Sequence, residues 1–373
     1  MDLKNKKVLV VATTDDMIGR FMIPHIQEMQ RLGAEVFVAC RNTGDFFEET
    51  KNATSCEMFD VSFTRFPFTL KNMKGYKKLK KIVKEFKPDL INCLQPVGGV
   101  MGRLVSKKFK LPCLYTAHGF HFYKGAPLKN KLIYKTIEKW CSKHTTSLVT
   151  MNEEDYQAAL KMKAKKVYKI NGIGVDFSKY KVDKDFDKQG FKKELGLEED
   201  DFVVASVGEL NKNKNTLRLV DAMSKIENKK IKYLICGEGP LHQKYQDKIE
   251  KLGLTDNVKM LGFRRDIPKI LNCVDLYVMP SFREGLSKSM MEAMAYGLPV
   301  VASAIRGNVD LLGKEEGGLL LSPKDTDGFA NAFEKLAEDK QLCKKFGERN
   351  KTYVQDYSIE KVKAQMEKIY KEL

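Results

Sequence analysis

The sequence predicts an α/β protein made of two doubly wound parallel-sheet domains. Short, near-continuous apolar runs alternate with helical patterns along the whole chain, which is the signature of strands covered on both faces. That rhythm breaks once, between residues 172 and 200, where Gly172, Gly174 and a Lys/Asp-rich stretch replace it. The 373 residues also suit two cores better than one.

In the first half, strands are expected at residues 8–13, 35–40, 90–94, 113–118, 147–151 and 167–171. Helical patterns lie between them at 21–32, 76–86, 98–109 and 129–142. In the second half the strands are 203–208, 232–236, 258–261, 276–279, 300–303 and 318–321. The expected division is a first Rossmann-like domain over 1–175, a linker over 176–200 and a second Rossmann-like domain over 201–355. A terminal helix over 356–373 has no strand after it and is expected to pack back as a brace. In open α/β sheets ligands bind at the carboxyl ends of strands, so two such domains can face each other across one ligand.

The formal charge is +17, from 66 Lys+Arg against 49 Asp+Glu. An excess of that size favours an anionic partner, or reflects solvated lysine-rich faces. Twelve Lys/Arg fall within residues 71–110 around an apolar stripe of Tyr76, Leu79, Ile82, Val83 and Phe86. Such a basic helix would be drawn to anionic lipid. The eight cysteines lack CxxC or disulfide-like spacing and read as buried thiols in a reducing cytosol. No apolar stretch is long enough to span a bilayer.

The run 281–303 carries most of the chemistry. Glu284 lies in a loop, Glu292 lies on the helix that follows, and a helix N-terminus lies between them. The N–H groups at that start, near Gly285, Leu286 and Ser287, suit a diphosphate. Glu284 would face what hangs outside, and Glu292 could accept hydrogen bonds from hydroxyls along the helix flank. Upstream, Gly208 ends a buried strand and a polar loop with Lys212 and Lys214 follows, suited to neutralising a diphosphate. Gly239 closes the next strand and allows close backbone approach. Arg264 can stack on a base, pair with a phosphate or be an ordinary surface arginine.

His118 ends a buried strand on the ligand side and reads either as core packing or as function. His118 and His121 have metal-like spacing but no third ligand. The first strand is followed by a loop over 14–19 in which Gly19 is the only glycine, so a dinucleotide oxidoreductase fingerprint is missing. The Asp-x-Asp strings at 183–185, 185–187 and 325–327 end no expected core strand and are read as solvated rather than metal-binding.

Together these residues resemble retaining glycosyltransferases of family 4, with the GT-B fold. The carriers are Val207-Gly208-Glu209-Leu210 with Lys214, Gly237-Glu238-Gly239-Pro240, and Leu261-Gly262-Phe263 with Asp266. Asp275 before Pro280-Ser281, the Glu284/Glu292 pair, and Gly297-Leu298-Pro299-Val300 complete them. The first domain matches through 116–122 and Asn171-Gly172, in the manner of the branch that builds bacterial capsule, exopolysaccharide or O-antigen. The resemblance implies that Glu292 binds the donor ribose and Lys214 the diphosphate. It also implies that Glu284 and His118 contact the donor sugar and that Gly19 lies near the diphosphate. It implies no metal and no cofactor, and retention by front-face attack. Where many members carry arginine after the strand-ending glycine, this chain has Glu209; Lys214, rather than Lys212 or Arg218, is expected to supply the charge.

The expected function is transfer of a hexose or N-acetylhexosamine from a nucleotide-sugar, UDP-linked, to a lipid-linked saccharide. The expected location is the cytoplasm, peripherally at the anionic inner face of the plasma membrane. The alternatives are an epimerase or phosphorylase on the same fold, a non-catalytic sugar-nucleotide sensor, or a basic nucleic-acid-binding protein. No helix-turn-helix, RRM or zinc-knuckle pattern supports a nucleic-acid partner.

Overall fold

A computed structural model describes all residues except 45, 67, 68, 95, 181–184 and 314. The chain divides into two compact units, Met1–Gly174 with Ile359–Leu373, and Val175–Ser358.

The first unit holds seven strands: β1 (Lys7–Thr14), β2 (Glu35–Arg41), β3 (Glu57–Asp60), β4 (Leu90–Leu94), β5 (Cys113–Ala117), β6 (Ser147–Thr150) and β7 (Lys166–Lys169). They form one parallel sheet in the order β3-β2-β1-β4-β5-β6-β7. Successive residues of β1 feed opposite cores: Val8, Val10 and Ala12 pack on one face, Leu9 and Val11 on the other. Helices cover both faces, so each strand is apolar along its length. The order reverses between β1 and β4, which makes the strand ends there a topological switch point.

The second unit repeats this plan with β8 (Phe202–Val207), β9 (Ile231–Cys236), β10 (Val258–Gly262), β11 (Leu276–Met279), β12 (Val300–Ser303) and β13 (Gly318–Leu321). Their order is β10-β9-β8-β11-β12-β13, all parallel. Its switch point lies between β8 and β11. Val203 and Ala205 enter one core while Val204 enters the other.

The terminal helix Ile359–Lys371 belongs to the first unit. Val362, Met366, Ile369 and Tyr370 form a stripe that joins the core under β1 and β2. The N-terminal ammonium of Met1 donates to the carbonyls of Tyr370 and Lys371 at 2.8 and 2.7 Å, placing a cation at the negative end of that helix.

Three sequence expectations need correction. Residues 14–19 are not a loop: β1 runs to Thr14 and a helix, Asp15–Phe21, begins at once. β3 was not expected, because only Met58 and Phe59 of its four residues are apolar and it lies at the sheet edge. Residues 176–200 are not a bare linker. Helix Lys188–Glu194 forms there, and Phe177, Phe191, Leu195 and Leu197 are buried in the second unit's core.

Candidate functional site

The loops that leave β8 and β11 bracket the second unit's switch point, and most of the expected residues sit on them. After β8, Gly208 lies under the stem of Lys214: a Cβ there would stand 3.2 Å from Lys214 Cε. The following loop is held by asparagines. Asn211 Oδ1 accepts from Lys214 N at 2.9 Å, and Asn213 Nδ2 donates to the Arg283 carbonyl at 3.0 Å. Asn215, at φ +58°, donates to the carbonyls of Pro280 and Pro323 at 2.9 and 2.8 Å. Asparagine tolerates that left-handed conformation better than most residues. These contacts knit the β8 loop to the β11 loop.

Within that frame Lys214 Nζ lies 2.9 Å from Glu284 Oε1. Both side chains are largely buried, at 24% and 13% exposure, so the pair is weakly screened. The carbonyl of Glu284 accepts from Arg306 Nε at 3.2 Å. Gly307 brings Arg306's segment against the loop: a Cβ there would stand 2.2 Å from the Gly285 carbonyl oxygen.

Ser287 caps helix Lys288–Ala295, its hydroxyl accepting from Met290 N at 3.3 Å. The N–H groups of Lys288 and Ser289, in the first turn, have no intrahelical acceptor by position. Glu292 is buried on this helix. Its Oε1 accepts from Tyr180 OH at 2.5 Å and lies 3.6 Å from Lys288 Nζ. Burial raises its pKa above the usual carboxylate value, opposed by Lys288 and the tyrosine hydroxyl.

The other expected residues are placed as follows. Lys212 is exposed in the same loop. Glu209 is also exposed and accepts from Asn211 Nδ2 at 2.8 Å. Arg218 is engaged elsewhere, donating to the Lys324 carbonyl at 3.1 Å and Thr326 Oγ1 at 3.0 Å. Of Lys212, Lys214 and Arg218, Lys214 is therefore the one that stands at the β8–β11 edge beside Glu284. Arg264 makes a two-pronged pair with Asp266 through Nε and Nη2, at 2.8 and 2.5 Å. Gly239 lets two strand-end loops touch, since a Cβ would stand 2.6 Å from the Leu210 carbonyl oxygen.

In the first unit, His118 follows β5. Its Nε2 is buried without a partner among the described residues, and burial pushes its pKa down to about 3, with His25 adding to the effect. It is a neutral imidazole at physiological pH. His121 instead stacks near Tyr134, with ring centroids 4.7 Å apart. Gly19 lies inside the helix Asp15–Phe21, where a Cβ would collide with Phe46 at 2.5 Å.

Among the described residues no group of three or more His, Cys, Asp and Glu is placed to hold a metal ion. Asp187 and Asp325 are helix caps, accepting from Gly190 N and Gly328 N, each at 2.8 Å. Asp183 lies outside the described residues. Tyr180, Asn213, Asn215 and Arg306 were missed by sequence reasoning. The asparagine-rich loop carried a signal; Tyr180 and Arg306 meet their partners only through the fold.

Comparison with known proteins identifies the family. Residues 187–353 match the family model described as "Glycosyl transferases group 1", and residues 7–152 match "Glycosyl transferase 4-like". EpsD of Bacillus subtilis (strain 168), a protein assigned to the glycosyltransferases, is 35% identical over 98% of this chain and 96% of its own length. The Escherichia coli UDP-Gal:alpha-D-GlcNAc-diphosphoundecaprenol alpha-1,3-galactosyltransferase is 32% identical over 85% of this chain and 84% of its own. The structure of HepE from Anabaena in complex with UDP and glucose superimposes with a TM-score of 0.83 at 21% identity, covering 99% of this chain and 100% of that one.

Proposed function

This chain belongs to the glycosyl transferases group 1, family 4-like enzymes of GT-B fold, and we propose that it moves a hexose or N-acetylhexosamine from a UDP-sugar to a lipid-linked saccharide in surface-polysaccharide synthesis. The observation that carries this is the Lys214–Glu284 pair at the β8–β11 switch point, beside the start of helix Lys288–Ala295. The name of the Escherichia coli relative supports the UDP-sugar donor and the lipid diphosphate acceptor.

The roles follow from charge and position. The diphosphate sits on the N–H groups of the helix start, and Lys214, held in place by Glu284, neutralises charge developing on the leaving phosphate. Glu284 then accepts from hydroxyls of the donor sugar. Glu292 accepts from the ribose, in place of or beside the Tyr180 hydroxyl. Lys212 adds positive potential at the mouth. His118, neutral and with an unused ring nitrogen, is assigned a hydrogen bond to a sugar hydroxyl.

In the step itself the bond from the anomeric carbon to the diphosphate oxygen breaks. A bond to the acceptor oxygen forms on the same face, and the departing phosphate oxygen takes the acceptor's proton. That route retains configuration and asks for no metal.

No helix among the described residues is long and apolar enough to cross a membrane. We assign contact with an anionic bilayer to the lysine-rich helices of the first unit, each lysine near the surface contributing about 1 kcal/mol.

A thermal-shift panel of UDP-, GDP- and ADP-sugars tests the reading, because a ligand stabilises in proportion to its occupancy. A UDP-sugar should raise Tm above bare UDP, and transfer to a lipid-linked acceptor should survive EDTA. No shift with any nucleotide-sugar would contradict it.

A further inference from the structure

The first unit contains a cavity of about 300 Å³ with no part in the donor chemistry above. It lies between helix Pro96–Phe109 and helix Leu128–Ser142, walled by Val97, Val100, Met101, Tyr134, Ile137 and Trp140. Glu138 also lines it, but both its oxygens are taken: Oε2 by Arg103 Nη1 at 2.7 Å, Oε1 by Tyr115 OH at 3.1 Å. His121 lines it as well, packed on the Tyr134 ring, so the wall is mainly apolar with one imidazole in it. A base or a sugar would lose its hydrogen bonds there; a hydrocarbon would not.

Two further observations say what kind of hydrocarbon. Arg65 borders this cavity and also a second, open hollow of about 540 Å³ lined by Thr14, Arg41, Thr43, Thr64 and the ring of Phe66. Thr14 Oγ1 is buried in that region without a partner among the described residues. Asp16 lies in the hollow too, but its carboxylate is held by Arg20 at 2.5 Å. Among the described residues, seven of the eleven exposed large apolar side chains fall within residues 66–73 and 128–140, on the segments beside the cavity, with lysines between them. An apolar slot, one arginine at its edge, a second in the adjoining hollow and an apolar, cationic surround fit a hydrocarbon chain ending in phosphate.

We infer that this cavity seats the hydrocarbon chain of a lipid diphosphate, with Arg65 and Arg41 on the phosphates and the adjoining hollow, with its threonines and Phe66, taking the attached sugar. This rests on the reading of the acceptor as lipid-linked and gives that acceptor a place in the first unit.

Trp140 is the chain's single tryptophan, so its emission reports the cavity directly. The full chain is titrated with farnesyl diphosphate, and separately with farnesol and with inorganic diphosphate. Farnesyl diphosphate should give a saturable change that inorganic diphosphate does not. Val100→Phe, or Ile137→Phe should the first variant fold poorly, fills the slot and should raise the half-saturating concentration about tenfold or more with Tm retained. Arg65→Ala should weaken farnesyl diphosphate and leave farnesol unchanged. Identical titrations in wild type and both filled variants overturn the inference. So does an emission change seen only with phosphatidylglycerol vesicles and unaltered by Val100→Phe, which would make the exposed face, not the cavity, the lipid contact. The same proteins are tested for a UDP-sugar thermal shift. Probe binding without that shift would count against the donor reading and leave the cavity standing.

Discussion

Lys214 Nζ and Glu284 Oε1 meet at 2.9 Å, although 70 residues separate them in the chain. Each stands on a loop leaving one of the two strands, β8 and β11, where the sheet order reverses. The carboxylate holds the ammonium at the strand ends before any donor arrives. Preorganisation of this kind spares the reorganisation that water would demand. Removing one partner leaves the other as an uncompensated, partly buried charge.

Lys214→Ala should therefore lower transfer at saturating donor by about 10²–10³-fold, the scale seen on losing one transition-state charge donor. Glu284→Ala should also largely abolish transfer. Initial rates together with Tm separate lost chemistry from lost folding. Near-wild-type turnover in both variants would refute the assignment.

Glu292 gives donor binding a pH dependence of known sign. Burial raises its folded pKa above 4.5, so the folded chain keeps the proton to higher pH than the unfolded chain does. Stability from this group thus falls as pH rises from the unfolded value through the folded one. Ribose hydroxyls need the ionised form as acceptor, so donor affinity should rise over the same window. Tyr180→Phe removes a hydrogen bond to the anion and should move that midpoint to higher pH. Glu292→Ala should mainly raise donor KM. Calorimetric titration with UDP across pH checks both; a midpoint unmoved by Tyr180→Phe counts against the ribose role.

His118 should mark the acid limb of stability rather than the pH-rate profile. Its folded pKa is pushed down to about 3 by burial, against 6.5 for the free side chain. The unfolded chain binds the proton first, so stability is lost as pH falls below about 6.5. His118→Gln should flatten denaturant-unfolding stability between pH 6.5 and 4.5 by at most about 1.4 kcal/mol per pH unit. His25, also lowered by burial, keeps its own share. Parallel stability curves for variant and wild type would show that His118 is not buried as described.

Asn215 couples the two site loops, so its loss should affect activity and stability together. Asn215→Ala removes two hydrogen bonds and places alanine at positive φ. A destabilisation of about 1–3 kcal/mol is expected from the unsatisfied carbonyls. A fall in kcat/KM should accompany it; an unchanged Tm would mean the loops are held without Asn215.

Much of this was legible in the chain because buried parallel strands are written as continuous apolar runs. β8, β9, β11 and β12 were readable for that reason, and with them the strand ends that carry Lys214 and Glu284. β3 was not, since an edge strand needs only a few inward residues. Helix Asp15–Phe21 was read as loop because a polar Asp-Asp pair opens it; Asp15 in fact accepts hydrogen bonds from the backbone of Thr43 and Phe46. The charged stretch around 176–200 hid Phe191 and Tyr180, and a contact spanning 112 residues, Tyr180 to Glu292, leaves no local pattern. The pairing of Arg264 with Asp266, two residues on, fixes the side chain at the end of β10 and was not legible in the sequence.

The central claim is that Lys214 and Glu284 act as one unit on the donor. A double-mutant cycle tests it most directly, using Lys214→Met, Glu284→Gln and their combination, with transfer rate from the UDP-sugar chosen by thermal shift. Coupled residues are not additive, so each single variant should cost about 10²-fold or more and the double variant little beyond the worse single. Losses that simply multiply, or either single variant turning over near the wild-type rate, would contradict the account.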